Sequence, residues 1–167
     1  MKKQKGFSLI ELLIVVAIIL IIAAIAIPNL LRSKMAANEA SAVGSLRTIN
    51  TAQVTFSSTY GTGYTTLAFL STPVAGCVAA TATGACLLDS NLGAGTKSGY
   101  FFTSVPGGGA GTAASPNNSF NSTAVPVAIG TSGQNSFCSD ESGVLRRDTT
   151  GAADAACSTT ATALPLQ

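Results

Sequence analysis

The first sixty residues follow two hydrophobic patterns in succession. Residues 7–27 form an apolar run that is interrupted only by Ser8 and Glu11. A helix of this length is about 31 Å long, enough to cross the hydrocarbon core of a bilayer. Beyond Pro28 a mainly apolar set recurs at spacings of three and four, which predicts one buried helical face: Ala42, Leu46, Ile49, Gln53 and Phe56. We therefore predict one long helix from Phe7 to Phe56, with a kink at Pro28, where a backbone donor is missing.

The remainder of the chain shows shorter patterns that are typical of strands and turns. Gly61 and Gly63 are expected to end the helix and to open a loop that extends through Ala94. Residues 99–105 predict a strand, residues 107–119 a loop, and residues 124–129 a second strand, which Pro126 would place at a sheet edge.

A hairpin is predicted near the C-terminal end of this pattern. Residues 136–140 and 144–148 flank Glu141-Ser142-Gly143, in which the glycine is suited to a turn with positive φ. The predicted fold class is therefore α+β, with the second half of the long helix packed on a small antiparallel sheet of three or four strands. Eight aromatic side chains are expected mainly in the core: Tyr60, Tyr64, Phe69, Tyr100, Phe101, Phe102, Phe120 and Phe137.

Glu11 is the least expected residue of the apolar run. An ionised side chain within a membrane span costs roughly 2.5–3.5 kcal/mol on insertion scales. Such a carboxylate normally faces protein or water and finds a cationic partner, but no Lys or Arg lies nearby between Phe7 and Leu31. The partner must therefore come from a chain terminus or from another molecule.

The basic leader, the stretch Gly6-Phe7-Ser8-Leu9-Ile10-Glu11 and the apolar run through Pro28 resemble the N-terminus of type IV prepilins and type II secretion pseudopilins. The resemblance implies that a prepilin peptidase in the membrane cuts after Gly6 and methylates the amine of Phe7. It also implies that Glu11 pairs with the Phe7 amine of a neighbouring subunit during assembly, and that the helix loosens around Pro28 in the filament.

The resemblance also divides the chain into four parts and gives it a pilin-like fold. Residues 1–6 are a cleaved basic leader, and residues 7–28 are the transmembrane and assembly half of the helix. Residues 29–60 form the amphipathic half of the helix, and residues 61–167 form a β-rich globular head with loops. The implied partners are further copies of the chain in a helical filament, the inner membrane, the prepilin peptidase and the pilus assembly machinery.

Two simpler interpretations of the N-terminus remain open. A secretory signal peptide would use Lys2, Lys3 and Lys5 as its charged region and Ala24-Ile25-Ala26 as its cleavage site, but the apolar run exceeds the roughly 7–15 residues of a signal core. A plain single-span anchor would explain the span and its orientation by the positive-inside preference. It would leave Gly6 and Glu11 unexplained.

Charge argues against nucleic acid as a partner. The chain has nine Lys and Arg against seven Asp and Glu, and removal of residues 1–6 takes away three of the lysines. The mature chain is then nearly neutral and lacks the basic footprint of non-specific nucleic-acid binding. We expect no nucleic-acid partner.

Four cysteines lie beyond the span, on the oxidising side of the membrane, and allow three disulfide pairings. We favour Cys77–Cys86 and Cys138–Cys157, because each pair closes a short loop in a segment with few core residues. The resemblance to pilins places Cys138 and Cys157 where many members of the family carry a C-terminal disulfide loop. Cys77 and Cys86 have no counterpart in that general pattern.

The chain offers little for catalysis or for cofactor binding. It contains no His, so the usual serine and cysteine triads are unavailable, and without Cys-x-x-Cys a zinc site is not expected. A calcium site is also considered, on the carboxylates of Asp140, Glu141, Asp148 and Asp154, although turn chemistry explains Asp140 and Glu141 equally well. We therefore predict no enzyme, no metal and no cofactor.

The sequence thus predicts a structural subunit of a type IV pilus, located in the inner membrane before assembly and on the cell surface afterwards. One alternative is a pseudopilin, which would act in the periplasm. Another is a secreted or membrane-anchored ligand-binding module.

Overall fold

The computed structural model describes residues 7–71, 77, 79–149 and 164–165. The chain divides into two compact units, Met1–Lys34 and Met35–Gln167, and we call the second unit the head. Helix α1 spans Leu9–Tyr60, which confirms the long helix with bounds that differ by a few residues from Phe7 and Phe56. Pro28 lies inside α1, and the helix kink expected there stays a prediction.

The part of α1 within the head buries one face. All five residues predicted from their spacing are buried there, and Ser45 and Ala52 join them; the five are Ala42, Leu46, Ile49, Gln53 and Phe56. Residues three and four apart share one side of a helix, so this periodic set forms a single stripe against the core. The apolar members belong to one cluster with residues of the sheet.

In the described part of the head, six strands form an antiparallel sheet in sequence order. The strands are β1 (Thr96–Lys97), β2 (Tyr100–Gly107), β3 (Ser119–Pro126), β4 (Ser136–Asp140), β5 (Leu145–Asp148) and β6 (Leu164–Pro165). Burial alternates along β2, so that Tyr100 and Phe102 enter the core while Phe101 and Val105 face outward. The β4–β5 hairpin is confirmed, and Gly143 has a φ of +74° in its turn.

The prediction for the second strand was wrong in its bounds and in its position. We expected residues 124–129 at a sheet edge, but β3 spans Ser119–Pro126 and lies between β2 and β4. Pro126 is the last residue of the strand, so its missing N–H does not interrupt the ladder, and Val127 resumes bonding by donating to the Gly99 carbonyl at 3.0 Å. The small polar residues at the start of β3 lack the apolar alternation that marks a strand.

Two further expectations need correction, the loop through Ala94 and the number of strands. The segment expected to be a loop through Ala94 contains the short helices α2 (Leu67–Leu70) and α3 (Ser90–Gly93), and the sheet has more strands than the three or four predicted. The aromatic residues do not all enter the core, because Phe69 is 43% exposed and Phe101 is 51% exposed. Tyr60 and Tyr64 are only half-buried.

A row of polar side chains lies within the apolar core. Ser104, Ser122 and Ser139 face one another across β2, β3 and β4, and all three are buried. From α1, Gln53 donates to Ser104 Oγ at 2.8 Å, and Asn50 donates to Ser139 Oγ at 2.7 Å. Buried polar groups are costly without partners, so these bonds favour one register of the helix on the sheet.

Candidate assembly segment

The N-terminal part of α1 exposes a long apolar surface. Its large apolar side chains, from Phe7 to Leu31, are 45–80% exposed, and none of the most apolar stretch is buried within the chain. Among the described residues, α1 is the one helix that is long and apolar enough to cross a membrane. An exposed apolar surface of this size is unfavourable in water, so the segment requires lipid or other apolar protein surfaces around it.

Glu11 lies in the first turn of α1 and is exposed. A carboxylate there is favoured by the positive end of the helix dipole. Within the described part of the chain, its side chain has no hydrogen bond and no ion pair. Phe7 stands four residues earlier, just before the helix begins, and Leu12 N donates to Ser8 O at 3.2 Å in the first turn. The carboxylate is thus available to a cation from outside the described chain.

The other predicted site residues are distributed over the molecule. Gly6 lies outside the described residues, so the cleavage site stays a prediction. Cys77 and Cys86 are joined by a disulfide with a Cα–Cα distance of 5.9 Å, which confirms that pairing. Cys138 is buried on β4, whereas Cys157 lies outside the described residues, so the Cys138–Cys157 bond stays a prediction.

Of the four carboxylates considered for calcium, Asp140 takes part in other interactions and Asp154 lies outside the described residues. Asp140 accepts hydrogen bonds from Ser142 N at 3.0 Å and from Ser142 Oγ, and its carboxylate is 4.0 Å from the Arg146 guanidinium. Asp154 is one of the residues that the structure does not describe. Across the described ranges, no three His, Cys, Asp or Glu side chains come together as a metal site would require.

Sequence reasoning missed the polar row beneath the helix. Gln53 fits the spacing of the buried face, but an amide at such a position demands hydrogen-bond partners. Its Oε1 accepts from Thr65 N at 2.9 Å, and its Nε2 donates to Thr65 O and Ser104 Oγ. The sequence did signal a buried polar group, because Gln53 is a polar residue on an apolar stripe. Its hydrogen-bond partners, however, lie outside α1.

A known family matches the N-terminal part of the chain. The family described as "Prokaryotic N-terminal methylation motif" matches residues 1–27, which include Gly6, Phe7 and Glu11. The chain carries a prepilin-type N-terminus. This prepilin-type segment coincides with the exposed apolar part of α1 and with the run singled out in the sequence.

Two curated relatives confirm the resemblance to type IV pilins. The "Type IV wide pilus major component PilA4" of Thermus thermophilus is 62% identical over 39 residues, which are 23% of this chain and 30% of the relative. The "Type IV major pilin protein PilA" of Myxococcus xanthus is 48% identical over 54 residues, which are 32% of this chain and 24% of the relative. The matches thus span less than a third of each relative's length. No solved structure matches the chain significantly.

Proposed function

We propose that the chain is a structural subunit of a type IV pilus and polymerises through its prepilin-type N-terminal helix. The proposal is supported by the motif match over residues 1–27 and by two relatives whose names describe pilus components. The observation that carries it is the position of Glu11, a carboxylate that lies in the first turn of an exposed apolar helix and has no partner among the described residues. The proposed role is non-enzymatic.

In the proposed assembly, the same helix occupies two environments in succession. Before assembly, the inner membrane covers the apolar side chains, while the head folds on the outer side. In the filament, helices of neighbouring subunits replace the lipid, and the Phe7 amine of one subunit meets Glu11 of another. An unpaired ion in a low-dielectric core costs several kcal/mol, so pairing favours the one register in which the two charges meet.

Processing and location follow from this proposal. The prepilin peptidase removes residues 1–6 and methylates the Phe7 amine, after which the pilus machinery extracts the subunit into a surface filament. A pseudopilin would share these steps but would remain in the periplasm. The relatives' names, which refer to pili, favour the surface pilus. Imaging of surface filaments, with identification of their most abundant protein, distinguishes the two.

Substitution of Glu11 tests the proposal. Glu11→Leu should insert as well as the parent or better, because it removes a charge that costs roughly 2.5–3.5 kcal/mol within the span. Assembly should nevertheless fail or be strongly impaired, since the amine loses its counter-charge. Glu11→Asp should give an intermediate yield, because it keeps the charge and shortens the reach. Membrane levels, intact mass of the mature chain and the amount of sheared filament are measured for each.

Ser8→Ala is the matched control, because it removes the other polar side chain of the run without changing charge. It should assemble like the parent. If Glu11→Leu accumulates, is cleaved and still builds filaments at parental abundance as the only subunit, the proposed pairing is refuted and a plain membrane anchor explains the segment better. A mature N-terminus at Ile27 would instead establish the signal-peptide interpretation, and an uncut leader would favour an anchored module.

A further inference from the structure

A cleft in the head lies beside the C-terminal end of α1. Its volume is about 350 Å³, within the range of roughly 300–1,000 Å³ that is typical of small-molecule sites. Phe56 of α1, which is 2% exposed, contributes to its lining. The other lining residues are Thr62, Tyr64, Thr65, Thr66, Phe69, Ala82, Thr83, Pro106, Ala110, Gly111 and Asn117. We call this site the head cleft.

One wall of the head cleft is fixed by an exchange of hydrogen bonds between residues 62–64 and Asn117. Tyr64 N donates to Asn117 O at 3.0 Å, and Asn117 N donates to Thr62 O at 3.1 Å. The Asn117 amide Nδ2 also donates to Tyr64 O at 2.8 Å. The Tyr64 ring packs on Phe120, with 4.7 Å between ring centroids. This wall is therefore held before any ligand arrives.

A second wall, which includes Phe69, is fixed by different contacts. Ala85 N donates to Phe69 O at 2.7 Å, and Leu87 N donates to Leu70 O at 2.8 Å. The Cys77–Cys86 disulfide ties down the loop that contributes Ala82 and Thr83. Two walls held independently reduce the ordering cost that a ligand would otherwise bear on binding.

The described part of the lining carries hydroxyl and amide groups. None of the lining residues that the structure describes is acidic or basic, so they offer no counter-charge to a phosphate, a carboxylate or an ammonium group. Within the described residues, neither the Thr66 hydroxyl nor the Tyr64 hydroxyl has a hydrogen-bond partner. Such hydroxyls both donate and accept, and Phe69 adds an aromatic ring that is 43% exposed.

We propose that the head cleft binds a neutral carbohydrate. A sugar ring matches the lining because its hydroxyl groups exchange hydrogen bonds with uncharged donors and acceptors, while its C–H face packs on an aromatic ring. This ligand site lies beyond the proposed structural function and depends on it only for the exposure of the head to extracellular saccharides. Binding by the purified chain can be measured whether or not the chain assembles.

The test uses the full-length mature protein in a detergent that carries no sugar. Maltose, cellobiose and lactose are titrated by calorimetry and by saturation-transfer NMR, with galacturonate as the charged comparator. At least one neutral disaccharide should bind with a dissociation constant of about 1 mM or lower, and more tightly than galacturonate. Phe69→Ala should weaken that binding about tenfold or more, and Thr66→Val should weaken it by a smaller factor.

Two matched controls separate the head cleft from general surface effects. Phe101→Ala removes another half-exposed phenylalanine, and Thr96→Val removes another exposed threonine; neither residue lines the cleft, and both variants should bind like the parent. Equal binding by Phe69→Ala, or no saccharide binding at about 10 mM, would overturn the proposal. Loss of filaments in Phe69→Ala without saccharide binding would also overturn it, because the cleft would then be a contact between subunits.

Discussion

At the scale of single residues, the two glycines that follow α1 adopt positive φ in different surroundings. Gly61 has a φ of +67°, and a Cβ added there would meet no atom within 4 Å. Gly63 has a φ of +79°, and its added Cβ would lie 2.0 Å from the Asn117 carbonyl oxygen. Gly61 is thus required by conformation alone, whereas Gly63 also permits the close approach of the Asn117 backbone.

The pair Gly61→Ala and Gly63→Ala tests this difference. Gly61→Ala should lower the free energy of unfolding of the head by about 1–2 kcal/mol, the usual cost of a left-handed residue with a side chain. Gly63→Ala should cost at least about 3 kcal/mol, because the backbone of Asn117 must also move. Urea denaturation of both variants measures the difference, and equal losses would show that the approach of Asn117 is easily relaxed.

At the scale of secondary structure, α3 depends on one capping side chain. Asp89 stands before Ser90–Gly93, accepts from Leu92 N at 2.9 Å and pairs with Lys97 Nζ at 3.0 Å. The hydrogen bond from Leu92, followed by that from Lys97, lowers the pKa of Asp89 below its ordinary value of 3.8. The ion pair is largely exposed and adds little, so the cap is the main contribution.

Asp89→Ala should destabilise α3 by about 1 kcal/mol at neutral pH, since the Leu92 N–H loses its partner. Because folding lowers the pKa, the stability gained from the ionised carboxylate is present above 3.8 and is lost as the pH falls through the folded-state value. Asp89→Asn, which retains a good cap without a charge, should remove this pH dependence at little cost near neutrality. Hydrogen exchange of the Leu92 amide between pH 2 and 7 follows both effects. An unchanged exchange rate in Asp89→Ala would contradict this role.

For a single element, the sequence predicts which face is buried but not which residues of other elements its polar side chains bind. The buried stripe from Ala42 to Phe56 was predictable because helical spacing alone places these residues on one side. The partners of Gln53 were not predictable, because Ser104 lies 51 residues away along the chain. The bounds of β3 were missed for a related reason: Ser122 is buried through its neighbours and not through its own hydrophobicity.

At the scale of the whole molecule, the head has its own apolar core, which includes the buried stripe of α1 and the sheet. A fragment that begins at Asn29 should therefore fold without the prepilin-type segment. Non-reducing peptide mapping of this fragment should find Cys77–Cys86 and Cys138–Cys157, and the full-length chain serves as the control. Aggregation of the fragment, or cysteines paired across the two sets, would contradict this division of the chain.

The sequence by itself determined the features that depend on neighbours along the chain. The prepilin-type segment, the long helix and the turn at Gly143 follow from residues within a few positions of one another, where local geometry and hydrophobic periodicity act. Only the tertiary structure decided the interior position of β3, the polar row beneath α1 and the head cleft. These features join residues far apart in the chain, and their burial and hydrogen bonds exist only after the helix, strands and loops have packed together.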